Sequence, residues 1–251
     1  MAYGGADVVA VEIHGVWKKF RLYHDKAVSL KERLIYWNRQ KSEDYWALKD
    51  VTLSIPKGTT VGLIGRNGSG KSTLLKIISR ILYPTIGEVR VNGRVSTLLE
   101  LGAGFHPDFT GRENIFLNAS ILGLSHRETR ERMKDIIDFA ELGDFIDNPV
   151  RNYSSGMYMR LGFAVAVHVE PEILLIDEVL AVGDMAFQEK CLAKIRELQK
   201  RGTTIIFVTH VPKQVEELCV QAVWLEQGKI RMLGPAKEVA QAYGKFFGAG
   251  N

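Results

Sequence analysis

The sequence predicts an α/β fold in which helices cover both faces of a parallel sheet, and two observations support this prediction. In the second half of the chain, short apolar runs alternate with amphipathic segments in the order strand, helix, strand, helix. Earlier, the β-branched run Thr60–Ile64 leads into a glycine-rich turn and then into a helical pattern. Both patterns are typical of parallel strands joined by crossover helices.

The amino-terminal segment is predicted to be extended and then interrupted. Two short alternating strands are expected at residues 8–13 and 15–20, and a third at residues 51–55. Residues 25–45 break this pattern, because a Ser29 and Glu32 capping pair opens a basic, amphipathic helical segment. The pattern fits an apolar face packed on its own domain and one facing a partner or membrane equally well.

The remaining elements follow in chain order, and the whole chain, residues 1–251, is predicted to be one domain. Helical periodicity predicts a helical subdomain over about residues 112–168. The expected helices are 69–82, 112–122, 125–142, 158–168, 185–200, 211–218 and 235–247, and the expected strands are 87–91, 95–101, 173–177, 203–209, 222–226 and 229–233.

Composition is that of an ordinary globular protein. The chain has 251 residues, of which 46% are hydrophobic and 25% charged, with a net charge of +4. Neither a Lys/Arg block nor a basic aromatic platform is present, so we predict no nucleic-acid partner. Two cysteines without metal-like spacing indicate a reducing, cytosolic compartment, and no signal peptide or membrane-spanning run is evident.

Residues 65–72 have the spacing G-x-x-x-x-G-K-S of a phosphate-binding loop. Glycines 65, 68 and 70 are expected to adopt positive φ so that backbone N–H groups point at an anion. Lys71 would neutralise the β and γ phosphates, and Ser72 would offer its hydroxyl to Mg²⁺. The predicted ATP-binding residues are Gly65, Arg66, Asn67, Gly68, Ser69, Gly70, Lys71, Ser72 and Thr73.

Two carboxylates, Asp177 and Glu178, close the apolar strand 173–177. In a phosphate-loop protein the first carboxylate holds Mg²⁺, and the second can orient and deprotonate the attacking water. His210 follows the next strand, at the carboxyl edge where ligands of parallel sheets gather, so it is expected to contact the γ-phosphate.

A second anion cradle is predicted where Ser154, Ser155 and Gly156 precede a helix. One domain that binds one nucleotide has little use for two cradles. We therefore predict a homodimer in which the cradle of each chain completes the nucleotide site of the other.

These segments together resemble, in chain order, the functional elements of ABC ATPases. Residues 65–72 resemble the Walker A loop, 154–156 the signature, 177–178 the Walker B acids, 181–184 the D-loop, and His210 the switch histidine. The resemblance implies a P-loop ATPase fold with a parallel-sheet core, a helical subdomain and an antiparallel β portion. It also implies a head-to-tail dimer that encloses two ATP molecules with Mg²⁺.

The same resemblance implies roles for individual residues. Ser154 and Gly156 would touch the γ-phosphate held by the partner's Lys71, and Asp184 would make a contact across the interface. Glu178 would be the catalytic base. An early aromatic residue, Phe20 or Tyr23, would stack on adenine.

Departures from the general family pattern are informative. The signature reads Tyr-Ser-Ser-Gly-Met, and no glutamine lies between residues 95 and 110, where Glu100 would replace the usual oxygen ligand. With residues 110–114, these features resemble the ATPase subunits that export O-antigen, capsular polysaccharide or teichoic acid. Alternative functions are an exporter of lipids, drugs or peptides, and a soluble ABC ATPase acting on nucleic acid or ribosomes.

The exporter resemblance implies an ATP-hydrolysing motor at the cytoplasmic face of the inner membrane. Separate transmembrane permease subunits would form the pore and handle a lipid-linked polysaccharide. A carbohydrate-binding domain after Asn251 is a further expectation.

Overall fold

The computed structural model describes residues 8–23, 42–99, 101–177 and 183–248. Two short 3₁₀ helices, Gly143–Phe145 and Val150–Asn152, lie between the third and fourth α-helices. The other elements, in chain order, are β1 (Val9–Tyr23), β2 (Ser42–Pro56), β3 (Thr60–Ile64), α1 (Lys71–Ile78), β4 (Ile86–Val91), β5 (Val95–Thr97), α2 (Gly111–Ile121), α3 (His126–Ala140), α4 (Ser155–His168), β6 (Ile173–Asp177), α5 (Met185–Lys200), β7 (Thr204–Thr209), α6 (Pro212–Leu218), β8 (Gln221–Glu226), β9 (Lys229–Pro235) and α7 (Ala236–Gly248).

The predicted parallel sheet is confirmed. Its six strands have the order β5-β6-β7-β3-β8-β9, and all neighbouring pairs are parallel except β8 and the edge strand β9. Every residue of β3 and β7 is buried, which explains their continuous apolar sequences. Because these strands are parallel, the carboxyl ends of β3, β6 and β7 meet at one edge of the sheet.

The predicted antiparallel portion is also confirmed, as a separate sheet with the order β2-β1-β4. The prediction of two short strands at residues 8–13 and 15–20 is wrong, because β1 runs unbroken through both. Gly15 adopts a φ of 53°, and the register with β2 shifts between Ile13 and Val16. A local irregularity of this kind accommodates the positive φ of Gly15 without ending the strand.

The carboxyl boundary of the predicted insertion, residue 45, is also wrong, since β2 begins at Ser42. Tyr45 pairs in register with Phe20, and Lys19 makes a 2.8 Å ion pair with Asp44 across the two strands. The first four residues of β2 are exposed and mostly polar, so they carry none of the alternation that marks a half-buried strand. The helix predicted at residues 29–40 lies outside the described residues.

Other boundaries also differ from the predictions, and three of these differences have a local reason. Helix α1 starts at Lys71 rather than residue 69, because Gly70 has a left-handed φ of 108°, and it ends at Ile78 rather than residue 82. Strand β5 ends at Thr97, whose hydroxyl accepts a hydrogen bond from the Leu99 N–H. Helix α4 starts three residues earlier than predicted, because Ser154 caps it.

Helices α2, α3 and α4 pack on one another, which is the packing that the predicted helical subdomain requires. Ile115, Ile136 and Leu161, one from each helix, are fully buried in a shared apolar cluster. Capping boxes fix the starts of α2, at Thr110 and Glu113, and of α3.

The two faces of the parallel sheet are covered by different elements. Helix α1 and the antiparallel sheet share one apolar cluster with alternate residues of β3, β6, β7 and β8. Helices α4 and α5 cover the opposite face through Phe163 and Phe187, and α6 and α7 pack beside them on β8. Among the helices in the described ranges, none combines the length and apolarity that crossing a bilayer demands.

Candidate functional site

A cleft of about 530 Å³ opens at the carboxyl edge of the parallel sheet, where β3 and β6 end. The predicted phosphate loop forms its floor, and Asp177 borders it from β6. The antiparallel sheet contributes the remaining wall. The lining residues are Phe20, Tyr45, Ala47, Asn67, Gly68, Gly70, Lys71, Ser72, Thr73 and Asp177.

The glycines of the phosphate loop serve two different purposes. Gly68 and Gly70 have φ values of 79° and 108°, the left-handed conformation that was expected. The same expectation for Gly65 is wrong, because the φ of Gly65 is not positive. A Cβ at Gly65 would lie 2.3 Å from the carbonyl oxygen of Leu225, so glycine is needed there for the close approach of β8.

Lys71, Ser72 and Asp177 converge within the cleft. The buried Lys71 ammonium donates hydrogen bonds to the carbonyl oxygens of Gly65 at 2.7 Å and Arg66 at 3.1 Å. The Ser72 hydroxyl donates to Asp177 Oδ2 at 3.0 Å. A hydroxyl and a carboxylate at this separation are hard oxygen donors of the kind that Mg²⁺ uses together with phosphate oxygens and water. The donor set therefore fits a magnesium–nucleotide complex.

The aromatic wall of the cleft consists of Phe20 and Tyr45. Phe20 was one of the two predicted adenine-stacking residues. The other, Tyr23, belongs to β1, but its side chain lies outside the described part of the structure. Tyr45 was missed by the sequence analysis, and its hydroxyl donates to the Gly68 carbonyl oxygen at 3.3 Å. Only the pairing of Phe20 with Tyr45 across β1 and β2 reveals its position.

His210 directly follows β7 and is exposed at the carboxyl edge of the sheet, between the ends of β6 and β3. This is the side on which it was expected. Two other predicted residues, the base Glu178 and the oxygen ligand Glu100, lie outside the described residues, so their roles stay predictions.

The predicted signature residues lie in a second cleft, of about 360 Å³. Ser154 and Gly156 border it together with Asp184, and none of its described lining residues also lines the first cleft. Ser154 caps α4, its hydroxyl accepting a hydrogen bond from the Met157 N–H at 3.2 Å. The structure therefore brings Asp184 to the signature residues and not to the phosphate loop of the same chain.

Arg160 links the elements around this second cleft. Its guanidinium donates to Glu141 at 2.9 Å and to Asp184 at 2.8 Å, and it lies over the ring of Phe187. A hydrogen bond from Lys190 is the main reason that the pKa of Glu141 is lowered, with Arg160 adding to it. No sequence pattern marks Arg160, because its partners come from separate elements.

Neither backbone conformation nor packing within the described protomer requires a glycine at position 156. It lies in the first turn of α4, its φ is not positive, and a Cβ added there would have Ser154 Oγ, at 3.9 Å, as its nearest neighbour. Glycine is a poorer helix former than alanine by about 0.8–1.0 kcal/mol. Ser155, which follows the cap, begins the helix and is exposed.

The loop at residues 101–105, which belongs to the stretch between residues 95 and 110 that has no glutamine, lies directly against α4. The Tyr158 hydroxyl donates to the Gly102 carbonyl oxygen at 2.9 Å. A Cβ on Gly162 would lie 2.6 Å from the Gly102 nitrogen, so the two backbones are in close contact.

Comparisons with known proteins agree with this geometry. A family described as "ABC transporter" matches residues 48–181. The O-antigen export system ATP-binding protein RfbB of Myxococcus xanthus is 52% identical over 241 residues, which cover 93% of this chain and 55% of that protein. RfbB of Klebsiella pneumoniae is 48% identical, with 93% of this chain and 96% of that protein covered.

A teichoic acid exporter component and a solved structure are also similar. The teichoic acids export ATP-binding protein TagH of Listeria innocua is 47% identical, with 95% of this chain and 70% of that protein covered. A solved ATP-binding subunit of an ABC transporter superposes with a TM-score of 0.74 at 23% identity, covering 94% of this chain and 93% of that one. This chain thus spans about half of the Myxococcus relative and nearly all of the Klebsiella relative.

Proposed function

The chain belongs to the ABC transporter family of ATP-binding proteins, and on that premise we propose that it is the ATP-hydrolysing motor of a polysaccharide exporter. The cargo would be a lipid-linked polysaccharide of the O-antigen type, moved across the cytoplasmic membrane. One observation carries the ATPase assignment: Lys71, Ser72 and Asp177 converge at the ends of β3 and β6. Identities of 48% and 52% with two O-antigen export ATP-binding proteins support the cargo.

Each polar residue of the cleft has a distinct task in this proposal. The phosphate loop surrounds the phosphates with backbone N–H groups, and Lys71 offsets their negative charge. Ser72 and Asp177 would hold Mg²⁺, which when bound neutralises charge on the β and γ phosphates. Glu178 accepts the proton of the attacking water, and His210 contacts the γ-phosphate. Phe20 stacks on adenine.

We also propose that the protein works as a head-to-tail homodimer. The signature cleft and the phosphate-loop cleft are separate in the protomer, so Ser154 and Gly156 can reach a nucleotide only if a second chain provides it. Packing within the described protomer does not require a glycine in the first turn of α4. The absence of a side chain there would allow a partner's phosphate to approach closely. Ser155 and Asp184 would border the same interface.

A dimerisation experiment tests this arrangement. The variant Glu178→Gln should bind ATP without hydrolysing it and should form dimers, measured by light scattering after gel filtration. Adding Gly156→Asp should return it to monomers, because the new carboxylate repels the partner's phosphate. A dimer that persists in this double variant would contradict the composite site.

We place the motor at the cytoplasmic face of the membrane, bound to separate transmembrane permease subunits and without a nucleic-acid partner. Co-purification with a multi-spanning membrane protein supports this placement, whereas ribosome or DNA association would contradict it. The cargo is tested in proteoliposomes that contain the motor and its permease. Lipid-linked O-antigen should stimulate ATP hydrolysis, and the Lys71→Ala variant should show no response.

Teichoic acid is the second candidate cargo, favoured by the 47% identity with TagH. The same proteoliposomes distinguish the two. Stimulation by lipid-linked teichoic acid, with no response to lipid-linked O-antigen, would overturn the O-antigen assignment and retain the motor.

A further inference from the structure

We infer that Phe247, on the last turn of α7, is a positioning residue for nucleotide binding that acts through Arg66 of the phosphate loop. The inference rests on the proposed ATP site. It assigns a function to a contact between the carboxyl-terminal helix and the loop, two segments far apart in the sequence.

The contact itself is a cation–π interaction. The Arg66 guanidinium lies 5.5 Å from the centre of the Phe247 ring, within the range in which such pairs attract. Arg66 is otherwise exposed, so this ring restricts the rotamers of a long side chain at the tip of the loop.

The main chain of Arg66 connects this contact to Lys71, the lysine of the phosphate loop. The Arg66 carbonyl oxygen accepts hydrogen bonds from Lys71 Nζ at 3.1 Å and from the Ser69 N–H at 3.1 Å. Fixing the side chain of Arg66 therefore also fixes an acceptor that orients the Lys71 ammonium.

The other carboxyl-terminal elements contact the loop on both sides of Arg66. Ile64, the last residue of β3, is buried against Val239 and Tyr243 of α7. The Leu225 carbonyl oxygen of β8 approaches Gly65, and the Gly228 N–H donates to the Ser69 carbonyl oxygen at 3.0 Å. The loop is therefore supported from behind by β8, the turn after it, and α7. Phe247 adds a cation–π contact with the Arg66 side chain to this support.

A neighbouring residue offers a matched control. Phe246 and Phe247 both pack on the Trp224 ring. The centre of the Phe246 ring lies 3.9 Å from the Arg231 guanidinium, so the cation–π partner of Phe246 is Arg231 rather than Arg66. Replacing either phenylalanine removes a ring from the same aromatic cluster, in which the two rings also contact each other. Only replacement of Phe247 removes the contact with the loop.

The experiment compares Phe247→Leu, Phe247→Tyr and Phe246→Leu by calorimetric titration with MgATP and with inorganic tripolyphosphate. A cation–π pair at an exposed site corresponds to about a two- to fivefold change in affinity. Phe247→Leu should lower the affinity for both ligands by that factor, because the loop must then be ordered during binding. KM for ATP should rise in the same proportion, with kcat near that of the unchanged protein. Phe247→Tyr should restore the affinity, and Phe246→Leu should retain it.

A double-mutant comparison gives an independent readout that does not depend on stability alone. Phe247→Leu should have no further effect on affinity in an Arg66→Gln background, since the partner of the ring is already absent. Equal weakening by Phe247→Leu and Phe246→Leu, an unchanged affinity in Phe247→Leu, or full additivity with Arg66→Gln would each overturn the inference. Failure of the unaltered protein to bind ATP would instead contradict the proposed function.

Discussion

Replacing Gly156 by alanine separates the needs of the protomer from those of the dimer. In the protomer the added methyl group meets open space, with its nearest neighbour, Ser154 Oγ, at 3.9 Å. In the proposed dimer the same methyl group faces the γ-phosphate bound by the partner. The substitution should therefore stabilise the folded protomer and slow ATP hydrolysis.

Both effects can be given a magnitude. Alanine in place of a helical glycine stabilises by up to about 1 kcal/mol, which raises the Tm of a chain of this size by about 2–4 °C. Displacing a reacting group by about 1 Å costs on the order of 10²-fold in rate. We therefore expect a slightly higher Tm together with a large loss of ATP hydrolysis.

Calorimetric melting and steady-state phosphate release measure the two effects, with Gly65→Ala as a comparison. At Gly65 the added Cβ would lie 2.3 Å from the Leu225 carbonyl oxygen, so this variant should lose about 1–3 kcal/mol of stability together with nucleotide binding. A Tm of Gly156→Ala as low as that of Gly65→Ala, or ATP hydrolysis by Gly156→Ala at the unaltered rate, would contradict a partner's phosphate at this position.

Three further predictions concern the cleft and α4. Asp177→Asn should make ATP affinity equal with and without Mg²⁺ in a titration, and a remaining Mg²⁺ effect would contradict the assigned ligand. Phe20→Ala and Tyr45→Ala should each lower the affinity for ATP about tenfold or more through lost stacking, while the affinity for tripolyphosphate stays the same. An equal loss of affinity for both ligands would argue against a contact with the base. Burial lowers the pKa of His168 below its usual 6.5, so the unfolded chain binds protons more readily and stability should fall as pH drops below about 6.5. Tm measured across that range should drop less in His168→Gln.

The parts of the site that local sequence determines could be predicted without the structure. The phosphate loop combines a fixed spacing with a preceding strand and a following helix, so Lys71 and Ser72 could be assigned directly. Asp177 could be assigned because a carboxylate that ends a buried strand needs a partner. The parallel sheet followed from the alternation of strands and helices, because crossover connections allow few other arrangements.

Residues that depend on pairing between distant segments could not be predicted. Tyr45 enters the cleft only because β2 extends to Ser42 and pairs with β1, and its exposed, polar neighbours hide that extension. Arg160 connects Glu141 and Asp184, which lie on different elements and carry no mutual spacing signal. Charged surface residues have many solvent-exposed alternatives, so only the fold selects their partners.

The close contact between Gly102 and Gly162 has a mechanical consequence. Since main chain meets main chain there, a displacement of the loop at residues 101–105 cannot be absorbed by a side chain changing rotamer. The hydrogen bond from Tyr158 to Gly102 adds a second attachment one turn nearer the start of α4. Because the loop is attached to α4 at these two points, a displacement of the loop should also move the start of α4, where Ser154 caps the helix.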